Sequence, residues 1–261
     1  MLHTKKFIHS SSSKWVVFIH GAGGSSAVWF KQIKPFSEKF NVLLLDLRGH
    51  GQSKLKTDSK NYSFKIIAND VLLTMQEHAI ETAHFVGVSM GSIIIKQLYS
   101  LSPKTVQSMV FAGAVTKLNF KSRLLLRIGR IFNSIMPYML LYKIFARVMM
   151  PRKNHEQSRK LFIQEAKKLM DKEFRRWFKL TAQLTAYLAE LEQNTYKIPT
   201  LYIMGGEDNL FLTPVKKLLQ NDRYSQLQIV PNCGHVVNIE NSIVFNELSI
   251  NFIERQKIGL S

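Results

Sequence analysis

The chain has 261 residues, of which 46% are hydrophobic and 21% charged, with a formal net charge of +18 and one cysteine, Cys233. This length and composition suit one large α/β domain with an insertion, or two small domains, and exclude a disordered chain. A single cysteine excludes an internal disulfide framework and suits a reducing cytoplasm.

Residues 1–14 hold no apolar run of secretory-signal length. The longest apolar region, 124–150, is interrupted by Arg127, Arg130, Pro137, Lys143 and Arg147, so no transmembrane span is expected. A soluble cytoplasmic protein is the expectation. The basic balance leaves nucleic acid, an anionic membrane or an acidic substrate open as partner.

In chain order, Phe7-Ile8 is a faint strand pattern and Trp15-Val16-Val17-Phe18-Ile19 a firm one. The second runs into a Gly-rich loop, His20-Gly21-Ala22-Gly23-Gly24-Ser25-Ser26, and then a helical stretch with Trp29, Phe30 and Ile33. Val42 to Leu45 is another apolar strand, ending in Asp46-Leu47-Arg48-Gly49-His50-Gly51-Gln52-Ser53. A helix over Phe64 to His78 precedes the strand Ala83-His84-Phe85-Val86. Gly87-Val88-Ser89-Met90-Gly91 follows, and then a buried helix from Ser92 to Tyr99. Val106 to Ala112 is a strand again. Uncharged strands alternating with helices predict a mostly parallel sheet covered on both faces.

That rhythm stops over 117–196, which reads as helix only. Helices are expected at Leu124 to Ile135, Tyr138 to Met149, His155 to Met170 and Glu173 to Asn194, with Pro137 and Pro151 at the first two breaks. Strands return at Ile198 to Met204 and at Leu227 to Val230, with a short helix near Pro214 to Leu219 between them. Gly205-Gly206-Glu207-Asp208 follows the first of these strands, Asn232-Cys233-Gly234-His235 follows the second, and an amphipathic helix over Ser242 to Glu254 closes the chain. The expected division is a core of 1–116 with 197–261 and a helical cap of 117–196. The cap holds 17 Lys and Arg against 6 Asp and Glu, a net of +11.

Strand, Gly-x-Ser-x-Gly, helix is the context of a nucleophile elbow. A serine aimed from so sharp a turn takes a strained backbone, and its neighbours two places away must be nearly side-chain-free. Catalytic groups in such sheets gather at the carboxyl ends of strands, where Ser89, Asp208 and His235 stand. Serine needs a base to take its proton, His235 can take and return it, and an acid would fix the histidine tautomer. Glu207 competes with Asp208 for that last role. The backbone N–H groups of Met90 and Ala22 are candidate donors to a developing oxyanion.

His20 is expected to brace the Gly-rich loop, and His50, Asp46 and Arg48 to build a turn. His3, His9, His78, His84 and His155 are scattered without metal-ligand spacing, so no metal site is expected. Neither a Walker A loop nor a Gly-x-Gly-x-x-Gly fingerprint is present, and no cofactor is expected. Cys233 reads as a small buried neighbour of His235 rather than a second nucleophile.

His20-Gly21 with Trp29 downstream, the 46–53 stretch, the elbow, Gly205-Gly206-Glu207-Asp208 and Gly234-His235 occur in one order and spacing. Together they resemble the α/β-hydrolase fold superfamily, in the branch with a His-Gly oxyanion loop and a helical cap. The resemblance implies a mostly parallel central sheet flanked by helices, with an all-helical cap inserted after the sixth strand. It implies a triad of Ser89, Asp208 and His235, with Asp208 three residues after Gly205 in the usual register and so preferred to Glu207. It also implies an oxyanion hole at Ala22 and Met90, and substrate-facing Gly21, Trp29, Leu125 and Ile128. The short region before Trp15 departs from the pattern, and one early strand is expected to be missing. The cap is unusually basic.

The expected activity is that of a serine carboxylester hydrolase acting on small, medium or lipid-derived acyl esters. Thioester, amide or carbon–carbon hydrolysis and perhydrolysis stay open, because fold alone does not separate them. So does a non-catalytic basic protein that binds membrane or ligand. Nucleic acid is not expected, since no binding module is recognisable. Arg123, Arg127 and Arg130 recur at i, i+4 and i+7 beside an apolar face running from Leu124 to Met136. Such a helix suits peripheral contact with an anionic membrane; it is equally compatible with a solvated surface.

Overall fold

The computed structural model describes residues 2–53, 62–132, 136–194 and 196–256. Its strands are β1 (Thr4–Phe7), β2 (Trp15–Ile19), β3 (Asn41–Leu45), β4 (Ala83–Val88), β5 (Val106–Ala112), β6 (Thr200–Gly205) and β7 (Ser225–Val230). They form one sheet in the order β1-β3-β2-β4-β5-β6-β7. β1 is antiparallel to β3 and every other pairing is parallel.

The helices are α1 (Phe30–Ser37), α2 (Phe64–Glu77), α3 (Met90–Leu101), α4 (Phe120–Phe132), α5 (Tyr138–Met149) and α6 (Glu156–Ala166). α7 (Asp171–Leu180), α8 (Leu184–Gln193), α9 (Leu212–Leu218), α10 (Val237–Glu240) and α11 (Ser242–Arg255) complete them. Side chains alternate across each strand, and here both faces are greasy. Val17, Ile19, Leu43 and Phe85 face Ile67 and Val71 of α2 and Ile94 and Leu98 of α3. Val16, Phe18, Val42 and Val86 face Trp29, Phe36 of α1 and Phe245 and Ile253 of α11. Two-sided burial explains why the strands read as continuous apolar runs. Ser63 and Asn241 start α2 and α11 by accepting from Ile66 N and Val244 N, a cap worth about 1 kcal/mol each.

Helices α4 to α8 lie between β5 and β6. The sequence expectation placed this insertion after the sixth strand, whereas in this chain it follows the fifth. Among the described residues, those before Trp15 supply one strand, β1. The single helix expected over Glu173 to Asn194 is also two, α7 and α8. Around the break, Thr181 turns its hydroxyl back to the Phe178 carbonyl at 2.6 Å, a side-chain bond that competes with helix propagation. The expected helix end at Ile135 lies outside the described residues. The insertion has a small core of its own, Leu141, Tyr142, Ala166, Leu169, Phe174 and Phe178. Trp177, Leu184, Leu188 and Leu191 tie it to the main core.

Between β4 and α3 the chain turns within one residue, Ser89, at φ +54° and ψ −118°. A Cβ on Gly91 would sit 2.3 Å from the Ile19 carbonyl oxygen, which is sheet backbone and cannot move aside. Gly91→Ala should therefore cost about 3 kcal/mol in urea unfolding, the upper range of overpacking. Gly206→Ala, whose new Cβ meets nothing closer than 3.5 Å, should cost far less; equal costs would remove the packing argument.

His84 on β4 is buried, with Nδ1 2.8 Å from Ser108 Oγ. Burial, helped by the charge of Lys14, lowers its pKa to about 4. The unfolded chain then binds the proton more readily than the folded one. The stability from a neutral His84 is fully present above the ordinary histidine pKa of about 6.5 and drains away as pH falls towards 4, by up to roughly 3 kcal/mol. Unfolding free energies measured from pH 7 to 4.5 should fall less steeply in His84→Gln. Parallel profiles would assign the acid sensitivity elsewhere.

Candidate active site

Three loops at the carboxyl ends of parallel strands converge. The first carries Ser89. Its N–H donates to Ala112 O at 2.9 Å, and its carbonyl accepts from Ser92 N at 3.0 Å and Ser92 Oγ at 2.6 Å. The second follows β6, where Asp208 N donates to Gly205 O at 3.1 Å. Oδ1 of Asp208 accepts from Leu210 N and Phe211 N at 3.1 and 3.0 Å, which aims the other oxygen across the cleft. The third follows β7 and carries His235.

His235 Nδ1 lies 2.8 Å from Asp208 Oδ2, and Nε2 lies 2.8 Å from Ser89 Oγ. An ionised carboxylate only accepts, so Nδ1–H donates to Asp208. Nε2 is left with a lone pair for the Ser89 hydroxyl. Phe211 packs its ring 5.0 Å from the imidazole, and both His235 and Asp208 are buried.

Glu207 points away from this line. It accepts from Arg152, from Asn154 at 3.0 Å and from His155 Nε2 at 2.8 Å. The Asn154 hydrogen bond, with His155 and Arg152 behind it, holds its carboxyl below the usual range. Next to it, Glu240 accepts from Gly234 N and from Ser158 Oγ, fixing the backbone before His235.

The Gly-rich loop comes up beside Ser89. A Cβ on Gly21 would be 3.2 Å from both Ser89 Cβ and Val88 O, a tight contact that glycine avoids. Met90 begins α3, and a first-turn N–H has no partner within its helix. Ala22 lines the same cavity as Ser89 and Met90.

Two buried histidines hold this loop. Leu47 N donates to His20 Nε2 at 2.9 Å, so the proton is on Nδ1, which donates to Gly21 O at 2.7 Å. Gly23 N donates to His50 Nε2 at 2.9 Å, and His50 Nδ1–H faces Arg48 O at 3.1 Å. Burial lowers the pKa of both rings, His50 further because His20 lies beside it. Asp46 completes the turn, accepting from Ser26 N and Gln52 N.

The insertion ties into the same loops. Tyr142 OH donates to Ala22 O at 3.0 Å, and burial keeps its phenol protonated. Trp177 Nε1 donates to Arg48 O at 2.9 Å, Glu165 accepts from Ser25 Oγ, and Glu173 accepts from Tyr62 OH. Nothing in the sequence singled out Tyr142 or Trp177, as each sits within an ordinary amphipathic pattern.

Above Ser89 is a cavity of about 180 Å³. Its wall includes Leu125, Phe145, Phe174 and Phe178 of the insertion and Phe211 of the core. Leu125 thus lines the cavity with Ser89, Met90 and Ala22.

Two expected substrate-facing residues do not. Trp29 is fully buried in the core, its ring 4.9 Å from Phe18 and 6.4 Å from Phe245; its place just after the loop reflects sheet packing. Ile128 is 44% exposed on the outer side of α4, where the helix turns it away from the wall that Leu125 and Leu126 build. Among the described residues no three His, Cys, Asp or Glu side chains gather as a metal site would. Burial pushes the Cys233 thiol up to about 11, which leaves it a poor nucleophile.

The family described as alpha/beta hydrolase fold matches residues 14–138. The chain is 28% identical to a putative carbamate hydrolase of Acinetobacter baylyi over 95% of this chain and 96% of that protein. It is 24% identical to a pimeloyl-[acyl-carrier protein] methyl ester esterase of Wigglesworthia glossinidia brevipalpis over the same shares. A shorter match, 37% identical over 100 residues, is to the dihydrolipoyllysine-residue acetyltransferase component of the acetoin cleaving system of Cupriavidus necator; it covers 38% of this chain and only 26% of that protein's length. A solved hydrolase from Oleispira antarctica has the same fold, with a TM-score of 0.85 at 19% identity over 97% of this chain and 94% of that one. Sheet order, the family match over 14–138 and structural likeness agree that the chain has the α/β-hydrolase fold.

Proposed function

We propose that this protein is a serine hydrolase that cleaves carboxylic esters through an acyl-enzyme on Ser89. The observation that carries the reading is the unbroken hydrogen-bond line from Ser89 Oγ through His235 to Asp208, aimed into an apolar cavity. In the proposed reaction Ser89 Oγ attacks the ester carbonyl carbon while its proton passes to His235 Nε2. The carbonyl oxygen gains negative charge, and the N–H groups of Met90 and Ala22 are assigned to receive it. His235 returns the proton to the departing alcohol. Water, deprotonated by the same nitrogen, then attacks the acyl-enzyme and frees the acid and Ser89. Asp208 would keep the proton on Nδ1 and stabilise the imidazolium between these transfers.

The division of labour assigned here makes 117–196 a cap over a core of 1–116 and 197–261. Its apolar wall would receive the acyl group. At about 180 Å³ the cavity is smaller than the roughly 300–1,000 Å³ of drug-sized sites, which favours small or medium acyl chains with the alcohol outside. Gly21 lets the loop reach the acyl carbon, and Leu125 contributes to the wall. Esters are preferred because the wall offers few polar groups that could select an amide or a charged substrate. The methyl ester esterase and the carbamate hydrolase among the relatives support hydrolysis at an acyl carbon. The reading implies no cofactor and a cytoplasmic setting, consistent with one buried cysteine.

A panel of chromogenic esters of graded acyl length, with carbamates included, is the direct test. Ser89→Ala should keep the wild-type melting temperature and lose about 10⁶-fold in kcat, and a fluorophosphonate should modify Ser89 alone. Labelling at Ser92 or Cys233, or turnover retained in the variant, would reject the assignment.

The acid can be separated from its neighbour. Asp208→Asn should lower kcat by about 10⁴-fold by disturbing the His235 tautomer. Glu207→Gln, which loosens only the bonds to Arg152, Asn154 and His155, should cost much less. The opposite ranking in steady-state kinetics would move the role to Glu207.

A further inference from the structure

Helix α4 has three faces where an ordinary surface helix has two. Ser122 and Gly129 are buried with Leu125 and Leu126 beside them, and Gly129 lets Phe145 and Phe178 pack directly against the helix. At 100° per residue, Phe120, Leu124, Ile128, Ile131 and Phe132 fall on a second, outer arc, and all are exposed, Phe120 to 72% and Ile131 to 61%. Arg123, Arg127 and Arg130 form the edge between the two, lining a cleft of about 300 Å³ with Thr181 and Thr185.

Helix α5, packed on α4 through Phe145, exposes Leu140, Ile144 and Val148 interleaved with Lys143 and Arg147. Residues 117–155 contain nine Lys and Arg and no Asp or Glu. The ion pairs of the insertion use other residues, such as Lys117, Lys160, Arg175 and Arg176. Among the described residues no carboxylate pairs with the Arg edge or with Lys143 and Arg147.

We propose that the outer faces of α4 and α5 dock on an anionic phospholipid surface, with the apolar arc at the acyl boundary and the Arg edge on headgroup phosphates. An apolar face this exposed calls for a cover, and a cover without complementary negative charge would strand the cations. A nucleic acid would meet the charge and leave Phe120 and Ile131 in water; a bilayer interface meets both. At 13 residues α4 is too short to span, so it lies in the interface plane. The Arg cleft and the cavity above Ser89 share Leu118, Leu126 and Thr181. Docking therefore sets the wall of that cavity against the interface, where amphiphilic esters concentrate. This consequence rests on the proposed esterase activity, whereas the docking does not.

The test uses the Ser89→Ala protein, so its outcome is independent of turnover. Co-sedimentation is measured with vesicles of phosphatidylcholine alone and of phosphatidylcholine mixed with phosphatidylglycerol. Partition onto the anionic vesicles only, weakened by added salt, is the expected result. Each basic side chain near such a surface contributes about five-fold, so Arg123→Gln, Arg127→Gln and Arg130→Gln together should weaken partition by roughly 100-fold. Ile131→Ser with Ile144→Ser should also weaken it, with melting temperatures confirming that both variants fold.

Equal partition onto the two vesicle types, or none onto either, overturns the proposal with the unaltered surface and whatever the variants do. So does indifference to the serine substitutions. Retention on heparin without vesicle binding would assign the basic edge to a soluble polyanion and overturn it likewise.

Discussion

Ser89 keeps its positive φ because α3 is pressed so closely onto β2 that Gly91 touches the Ile19 carbonyl. A non-glycine residue in such a conformation costs of order 1–3 kcal/mol, which the surroundings must offset. They do so through the Ser89 N–H on Ala112, the two bonds from Ser92 to the Ser89 carbonyl, and the burial of Ile93, Ile94 and Ile95 behind the turn. The seryl oxygen is thereby lifted clear of the sheet edge. Every other part of the site is placed relative to that point: the Gly-rich loop by contact at Gly21, the imidazole by 2.8 Å to Oγ.

Polar bonds fix the Gly-rich loop and the turn after β3 beside Ser89. His20 and His50 each accept one backbone N–H and donate to one carbonyl, which only the neutral ring can do. Their burial and lowered pKa values serve the same arrangement, since a proton on either Nε2 would face an N–H. The insertion contributes directly: Tyr142 binds the Ala22 carbonyl, and Trp177 binds the Arg48 carbonyl below His50. Movement of α5 would reach the Ala22 carbonyl through a single hydrogen bond, and movement of α7 would reach the Arg48 carbonyl through another. A donor proposed for an oxyanion is thus held partly by the element that also walls the cavity.

Legibility followed the period of the pattern. Strands buried on both faces appear as unbroken apolar runs, so β2 to β6 could be read; of the candidate site residues, Ser89 follows β4 and Asp208 follows β6, while His235 follows the half-exposed β7. What failed depended on direction rather than on residue type. Trp29 follows the Gly-rich loop, as a substrate-facing aromatic would, yet its ring turns inward onto Phe18. Ile128 belongs to a helix that is apolar over most of its circumference, and periodicity then names no inner face. The Thr181 break between α7 and α8 rests on one side-chain bond within a good helical pattern. Tyr142 reads as one more apolar position of α5; its hydroxyl acquires a role only when the loop of residues 20–26 is folded against it.

The distribution of charge is itself a constraint on the chemistry. The insertion carries a net of +11, yet its guanidinium and ammonium groups stay off the cavity wall, which Leu125, Phe145, Phe174 and Phe178 build instead. In the proposed reaction His235 becomes a cation between two proton transfers. A guanidinium within a few ångströms would raise the energy of that state, and beside a largely apolar wall the repulsion would be less screened than in bulk water. Arg123, Arg127 and Arg130 instead stand behind Leu118, Leu126 and Thr181 in a cleft open to solvent, where counter-ions shorten their reach to about a Debye length of 8 Å. An apolar wall thus separates two incompatible electrostatic tasks. Inside it the charge of a transient imidazolium would be answered by Asp208, 2.8 Å from His235 Nδ1, and outside it positive charge can accumulate away from the base.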